Sequence, residues 1–140
     1  MTIKEIQEEI IDEFSMFEDW MERYEYIIDL GKSLPLIEDE FITDSNLIVG
    51  CQSKVWLYSE IEGDKIKFTA DSDAILTKGI VALLLRVFNN QKPKDILDAD
   101  LYFVDKIGLK EHLSPTRANG LVSMIKQIKL YALAFQSKLG

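Results

Sequence analysis

One cysteine, one histidine and three prolines occur in 140 residues, and each scarcity closes a class of chemistry. A single thiol, Cys51, cannot form an internal disulfide and has no resolving partner, which excludes dithiol oxidoreductase chemistry. Structural zinc and iron–sulfur sites draw on several cysteine or histidine ligands, and Cys51 with His112 do not supply them. No glycine-rich phosphate loop is present. Uninterrupted apolar runs stay short, as in Ile80–Leu85, against the roughly 20 residues a membrane-spanning helix needs. Basic clusters are missing too, so a nucleic-acid partner is not expected.

What is present is an ordinary globular composition, 47% apolar and 10% aromatic. The length predicts one domain over residues 1–140. The net charge of −8 is uneven. Residues 1–44 hold fourteen acids against three bases, and residues 45–140 hold ten against thirteen. An acidic helical third of this kind serves solubility, as a solvated face, or offers a docking surface. The acidic start, Met1–Glu9, is no secretory signal, and a lone cysteine suits a reducing compartment, so a cytoplasmic protein is expected.

Along the chain, Ile3, Ile6, Ile10, Phe14 and Phe17 recur at helical spacing. Trp20, Tyr24, Ile27 and Ile28 continue the stripe after a break at 15–18, and Gly31 and Pro35 stop the second helix. The period then changes. Leu47-Ile48-Val49, Val55–Ile61 and Lys65–Ala70 read as three strands of an antiparallel meander, the last two joined by Glu62-Gly63-Asp64. Asp71-Ser72-Asp73 offers oxygens to cap a helix whose buried stripe is Ile80, Leu83, Leu84, Val87 and Phe88. Pro93 starts a short helical piece, and residues 98–112 carry no clear period. Ser114-Pro115 is a strong start for a long helix through Phe135. The expected class is α+β: a small three-stranded antiparallel sheet covered by N- and C-terminal helices.

The chemistry centres on Gly50-Cys51-Gln52-Ser53. A lone cysteine is most often a small buried hydrophobe. Three features favour a presented thiol instead: a loop between two strand runs, a preceding glycine that permits a tight turn, and small polar residues after it. Only the thiolate is nucleophilic, and Lys54 is the one base nearby in sequence. A stand-alone thiol enzyme, either a peroxidase or a Cys–His hydrolase pairing Cys51 with His112, is one reading, although His112 lies beside a helix start where a surface or capping role suits it. Arg117 falls in a first helical turn, where the dipole disfavours it, and Gly120 falls inside the helix. Either that turn is merely tolerated, or something approaches it closely.

Four stretches resemble the SufE family: Gly50–Trp56, Asp71-Ser72-Asp73-Ala74 with Lys78-Gly79, Leu113–Leu121, and upstream Tyr24–Pro35. They run in order over nearly the whole chain. The resemblance implies a sulfur acceptor that stimulates a SufS-like cysteine desulfurase, carries sulfur as a persulfide on Cys51, and relays it to an iron–sulfur scaffold. It implies a scaffold-like fold, an accessory role rather than stand-alone catalysis, and no cofactor of its own, the pyridoxal phosphate belonging to the desulfurase. Arg117, Asp73, Gly50 and Gln52 are then expected around the Cys51 loop or on the docking face. A homodimer is compatible with the sequence.

Overall fold

The computed structural model describes residues 1–139. Helix α1 (Ile3–Ser15) starts where Thr2 and Glu5 form a reciprocal capping box, each side chain accepting from the other's backbone N–H at 3.1 and 3.0 Å. Helix α2 (Trp20–Leu30) is capped by Asp19, whose carboxylate accepts from Glu22 N at 2.9 Å. A 3₁₀ turn at Gly31–Ser33 ends it.

Strands β1 (Val55–Glu62) and β2 (Lys65–Ser72) form an antiparallel hairpin, with Val55 opposite Ser72 and Glu62 opposite Lys65. Its tight turn places Gly63 at φ +64°, the left-handed region that glycine enters without steric cost. Alternation in β2 puts Ile66, Phe68 and Ala70 wholly inside and Lys65 and Lys67 outside.

The sheet has two strands, not the three expected. Leu47 and Ile48 reach β1 through one bridge to Trp56 and one hydrogen bond, Ile48 N to Val55 O at 2.9 Å. The ladder stops there because Gly50, at φ +98°, turns the chain away, leaving Val49 90% exposed. The β-branched run is therefore an approach to the Cys51 loop rather than a strand.

Helix α3 (Ile75–Phe88) packs directly on β2, and α2 and α1 pack against α3. Ile80–Leu85 are all buried, so α3 is apolar nearly all round, as a central helix must be. Residues 98–112 contain α5 (Tyr102–Lys106) after the short α4 (Pro93–Asp98). The long α6 (Pro115–Leu139) packs on α4 and reaches β1, where the Tyr131 hydroxyl donates to Leu57 O at 3.3 Å. Ser114 caps α6, its hydroxyl accepting from Arg117 N at 3.3 Å. No helix among the described residues is long and apolar enough to cross a membrane.

Arg86 ties α3 to α1. It donates to Glu9 at 2.6 Å and to Glu13 at 2.8 Å, and Glu13 also accepts from the Tyr26 hydroxyl. The Arg86 hydrogen bond lowers the Glu13 carboxyl pKa, while burial and the bond to Glu13 push the Tyr26 phenol up to about 12. A carboxyl whose folded pKa is depressed stabilises above its unfolded value and loses that contribution as pH falls through the folded one. Arg86→Met is expected to cost about 1–2 kcal/mol at neutral pH, between exposed and fully buried pairs. Urea unfolding checks this, and the difference from wild type should shrink as pH falls through the depressed folded pKa of Glu13.

Candidate functional site

Cys51 sits on the loop that Gly50 turns out of line, and this loop lies along α6. A Cβ built on Gly50 would come within 2.5 Å of Ser123 Oγ, and one built on Gly120 within 3.6 Å of Cys51 Sγ. Gly120 and Ser123 are three residues apart on one helix face, so together they form the ledge on which the loop rests. The thiol is half-buried and donates weakly to Gly120 O at 3.7 Å. Burial raises its pKa, so at neutral pH the resting group is the unreactive thiol.

The loop's exit is fastened by Asp73. Its carboxylate accepts from Lys54 N at 3.0 Å, and its own N–H donates to Lys54 O at 3.2 Å. This corrects the expectation that Asp71 and Asp73 cap the following helix. Asp71 and Ser72 are still in β2, α3 has Ala74 at its N-cap, and no side chain caps it. Asp73 is spent on the neighbouring loop because strand pairing holds Val55 opposite Ser72, which places Lys54 beside it. Asp71 instead pairs with Lys78 at 3.4 Å.

Beside Cys51 is a small cavity of about 10 Å³. Gln52 and Ser53 border it from the loop, Thr77 and Ile80 from α3, and Arg117, Gly120 and Met124 from α6. Of the expected neighbours, Gly50 and Gln52 flank Cys51 in the loop itself, Arg117 borders the cavity from α6, and Asp73 holds the loop's exit at Lys54 without lining the cavity. Arg117 Nε is buried with no hydrogen-bond partner among the described residues, and a donor stripped of water in this way is ready for an acceptor.

His112 is not among the residues lining this cavity. Its ring stacks on Trp20 at 3.9 Å, its Nδ1 lies 3.0 Å from Gly108 O, and its carbonyl accepts from the Tyr24 hydroxyl. It clamps the segment before α6 to α2, and no Cys–His pair is assembled there. No group of three or more His, Cys, Asp or Glu among the described residues is placed to hold a metal. A groove of about 730 Å³, lined among others by Gln7, Arg86 and Asn89, shares no lining residue with the thiol cavity.

Sequence reading missed Thr77, Ile80 and Met124 as site residues. Ile80 and Met124 carry only the signal of buried helix stripes, and nothing local marks them as neighbours of a loop many residues away.

Fold and site together define an α+β domain that presents one sheltered thiol on a loop held by a helix. A family profile described as "Fe-S metabolism associated domain", SufE, matches residues 8–132. The chain belongs to the SufE family, and its role lies in iron–sulfur metabolism. It is similar to an uncharacterized SufE-like protein of Rhizobium meliloti, 42% identical over 127 residues, covering 87% of this chain and 91% of the relative. A SufE-like protein of Rhizobium etli is 41% identical over 127 residues, covering 87% and 86%. A solution structure of a hypothetical protein from Thermus thermophilus shares the fold, with TM-score 0.78 at 16% identity, over 94% of this chain and 96% of that one.

Proposed function

We propose that this chain accepts sulfur from a pyridoxal-phosphate-dependent cysteine desulfurase onto Cys51 and passes it toward iron–sulfur cluster assembly. The observation that carries this reading is a single thiol on a glycine-turned loop, sheltered against Gly120 O, with its cavity bordered by Arg117, whose Nε is buried without a partner among the described residues. Family membership supports the metabolic setting.

The chemistry needs one cysteine per protein. The Cys51 thiolate attacks the outer sulfur of the donor's persulfide, a new S–S bond forms at Cys51, and the old one breaks to release the donor's thiolate. No net oxidation occurs, and no second thiol in this chain can expel the carried sulfur. Because burial keeps the resting thiol protonated, attack requires the loop to leave its ledge when the donor docks. Sheltering then protects the loaded sulfur from stray reductants. The chain contributes no cofactor of its own, and Asp73 and Arg117 belong to the docking face that surrounds the loop.

Mixing the chain with desulfurase and free cysteine should add about one sulfur atom to Cys51, read by intact-mass and peptide mass spectrometry. Absence of any added sulfur would remove the proposal. In the same mixture, Arg117→Ala should lower desulfurase stimulation about ten-fold, the scale of one charge-assisted contact, without lowering the melting temperature. Unchanged stimulation would take Arg117 out of the site.

A further inference from the structure

We infer that the bare backbone at Gly120 is a positioning device for the loaded state, keeping open the one-atom space that the outer sulfur of a Cys51 persulfide fills. This deepens the sulfur-acceptor reading and rests on it.

Neither the fold nor the resting thiol requires a glycine at position 120. Glycine inside a helix costs about 1 kcal/mol relative to alanine, and Gly120 lies six positions into α6. It is not among the glycines with positive φ, which are Gly50, Gly63 and Gly108, so no left-handed turn calls for it. Steric exclusion fails as well. A Cβ at Gly79 would strike Ile27 O at 2.0 Å, whereas one at Gly120 would meet its nearest neighbours at 3.6, 3.7 and 3.9 Å, all ordinary contacts. Those three neighbours are all atoms of Cys51: Sγ, Cα and Cβ. The thiol form therefore has room for alanine. An alanine methyl would, however, occupy space beside Sγ that glycine leaves open to a longer side chain on Cys51.

The space itself points the same way. The cavity bordered by Cys51 and Gly120 holds about 10 Å³, enough for about one water-sized atom. A persulfide extends Sγ by one sulfur at about 2.05 Å. The methyl of Gly120→Ala would lie against Sγ where this extension begins, and an overpacked interior responds by displacing the group that moves most easily. Here that group is the Cys51 loop, turned at Gly50 and free of strand pairing from Val49 to Ser53.

The test follows two rates on two forms of the protein. The chain is loaded with desulfurase and cysteine, separated from small molecules, and exposed to dithiothreitol while intact mass reports the remaining sulfur. Sulfur on Gly120→Ala should be lost about ten-fold faster than on wild type, equivalent to about 1.4 kcal/mol favouring the displaced loop. Iodoacetamide should modify the sulfur-free Cys51 of both proteins at the same rate, and the melting temperature of Gly120→Ala should be unchanged or raised. Equal sulfur lifetimes would overturn the inference. So would faster alkylation of the sulfur-free variant, which would show general loosening, or a lowered melting temperature, which would show that the contact is not an ordinary one. If wild type takes up no sulfur at all, the acceptor reading itself fails, a result distinct from all three.

Discussion

Replacing Cys51 by serine is expected to reduce sulfur uptake from a desulfurase and cysteine to background while leaving the fold intact. Serine keeps the shape and can donate to Gly120 O as the thiol does, so the loop retains its seat on α6. The change in stability should stay within about 1 kcal/mol. What disappears is the reaction. A hydroxyl at neutral pH has no appreciable anion, and an oxygen cannot replace the sulfur–sulfur bond that exchange creates. Intact mass after incubation reads the outcome, with thermal unfolding alongside. A Cys51→Ser protein that still gains sulfur, or still accelerates the desulfurase, would mean that the cysteine is incidental packing and that stimulation comes from docking alone.

The largest loss of stability should come from Gly79→Ala, far from any reaction. Gly79 lies on α3 where α2 crosses it, and a Cβ there would sit 2.0 Å from Ile27 O and 2.7 Å from Ile27 C. These are backbone atoms in a helix, and no side-chain rotation relieves the overlap. The two helices must separate, withdrawing contacts from wholly buried residues such as Ile27, Leu83 and Leu84. The expected cost is about 3 kcal/mol or more, after allowing for the roughly 1 kcal/mol by which alanine favours a helix. Against a usual total of about 5–15 kcal/mol, this should lower the urea midpoint strongly with little change in slope. A midpoint within error of wild type would show that α2 and α3 do not approach as described. One substitution, glycine to alanine, thus carries opposite expectations at positions 79 and 120, and the difference lies wholly in what each missing side chain faces.

Much of the architecture could be read from residues close together in sequence. The Ser114-Pro115 start and the Glu62-Gly63-Asp64 turn act within four residues, and each forms where its composition indicates. The alternation of β2 and the apolar content of α3 also reached the structure unchanged, because pleat and helix periods are local geometry. Two expectations failed where a local motif met a distant competitor. Leu47-Ile48-Val49 has strand composition, yet Gly50 diverts it toward Ser123 and Gly120 on α6. Asp73 has a helix-cap setting, yet it accepts from Lys54, which the hairpin register delivers to it.

The site divides along the same line. Cys51 announced itself by being the sole thiol among small residues, and the awkward turn holding Arg117 and Gly120 was visible because a dipole-opposed charge and an interior glycine break local rules. That Cys51 and Gly120 are in contact depends on α6 passing beneath a loop sixty-nine positions earlier. No sequence period encodes such a meeting. It arises because α3 and α6 both bury their apolar faces around the hairpin, and close packing leaves the loop one ledge to rest on. The chain's residues name the thiol and its chemistry, while tertiary packing sets its shelter, its raised pKa and the one-atom space beside it.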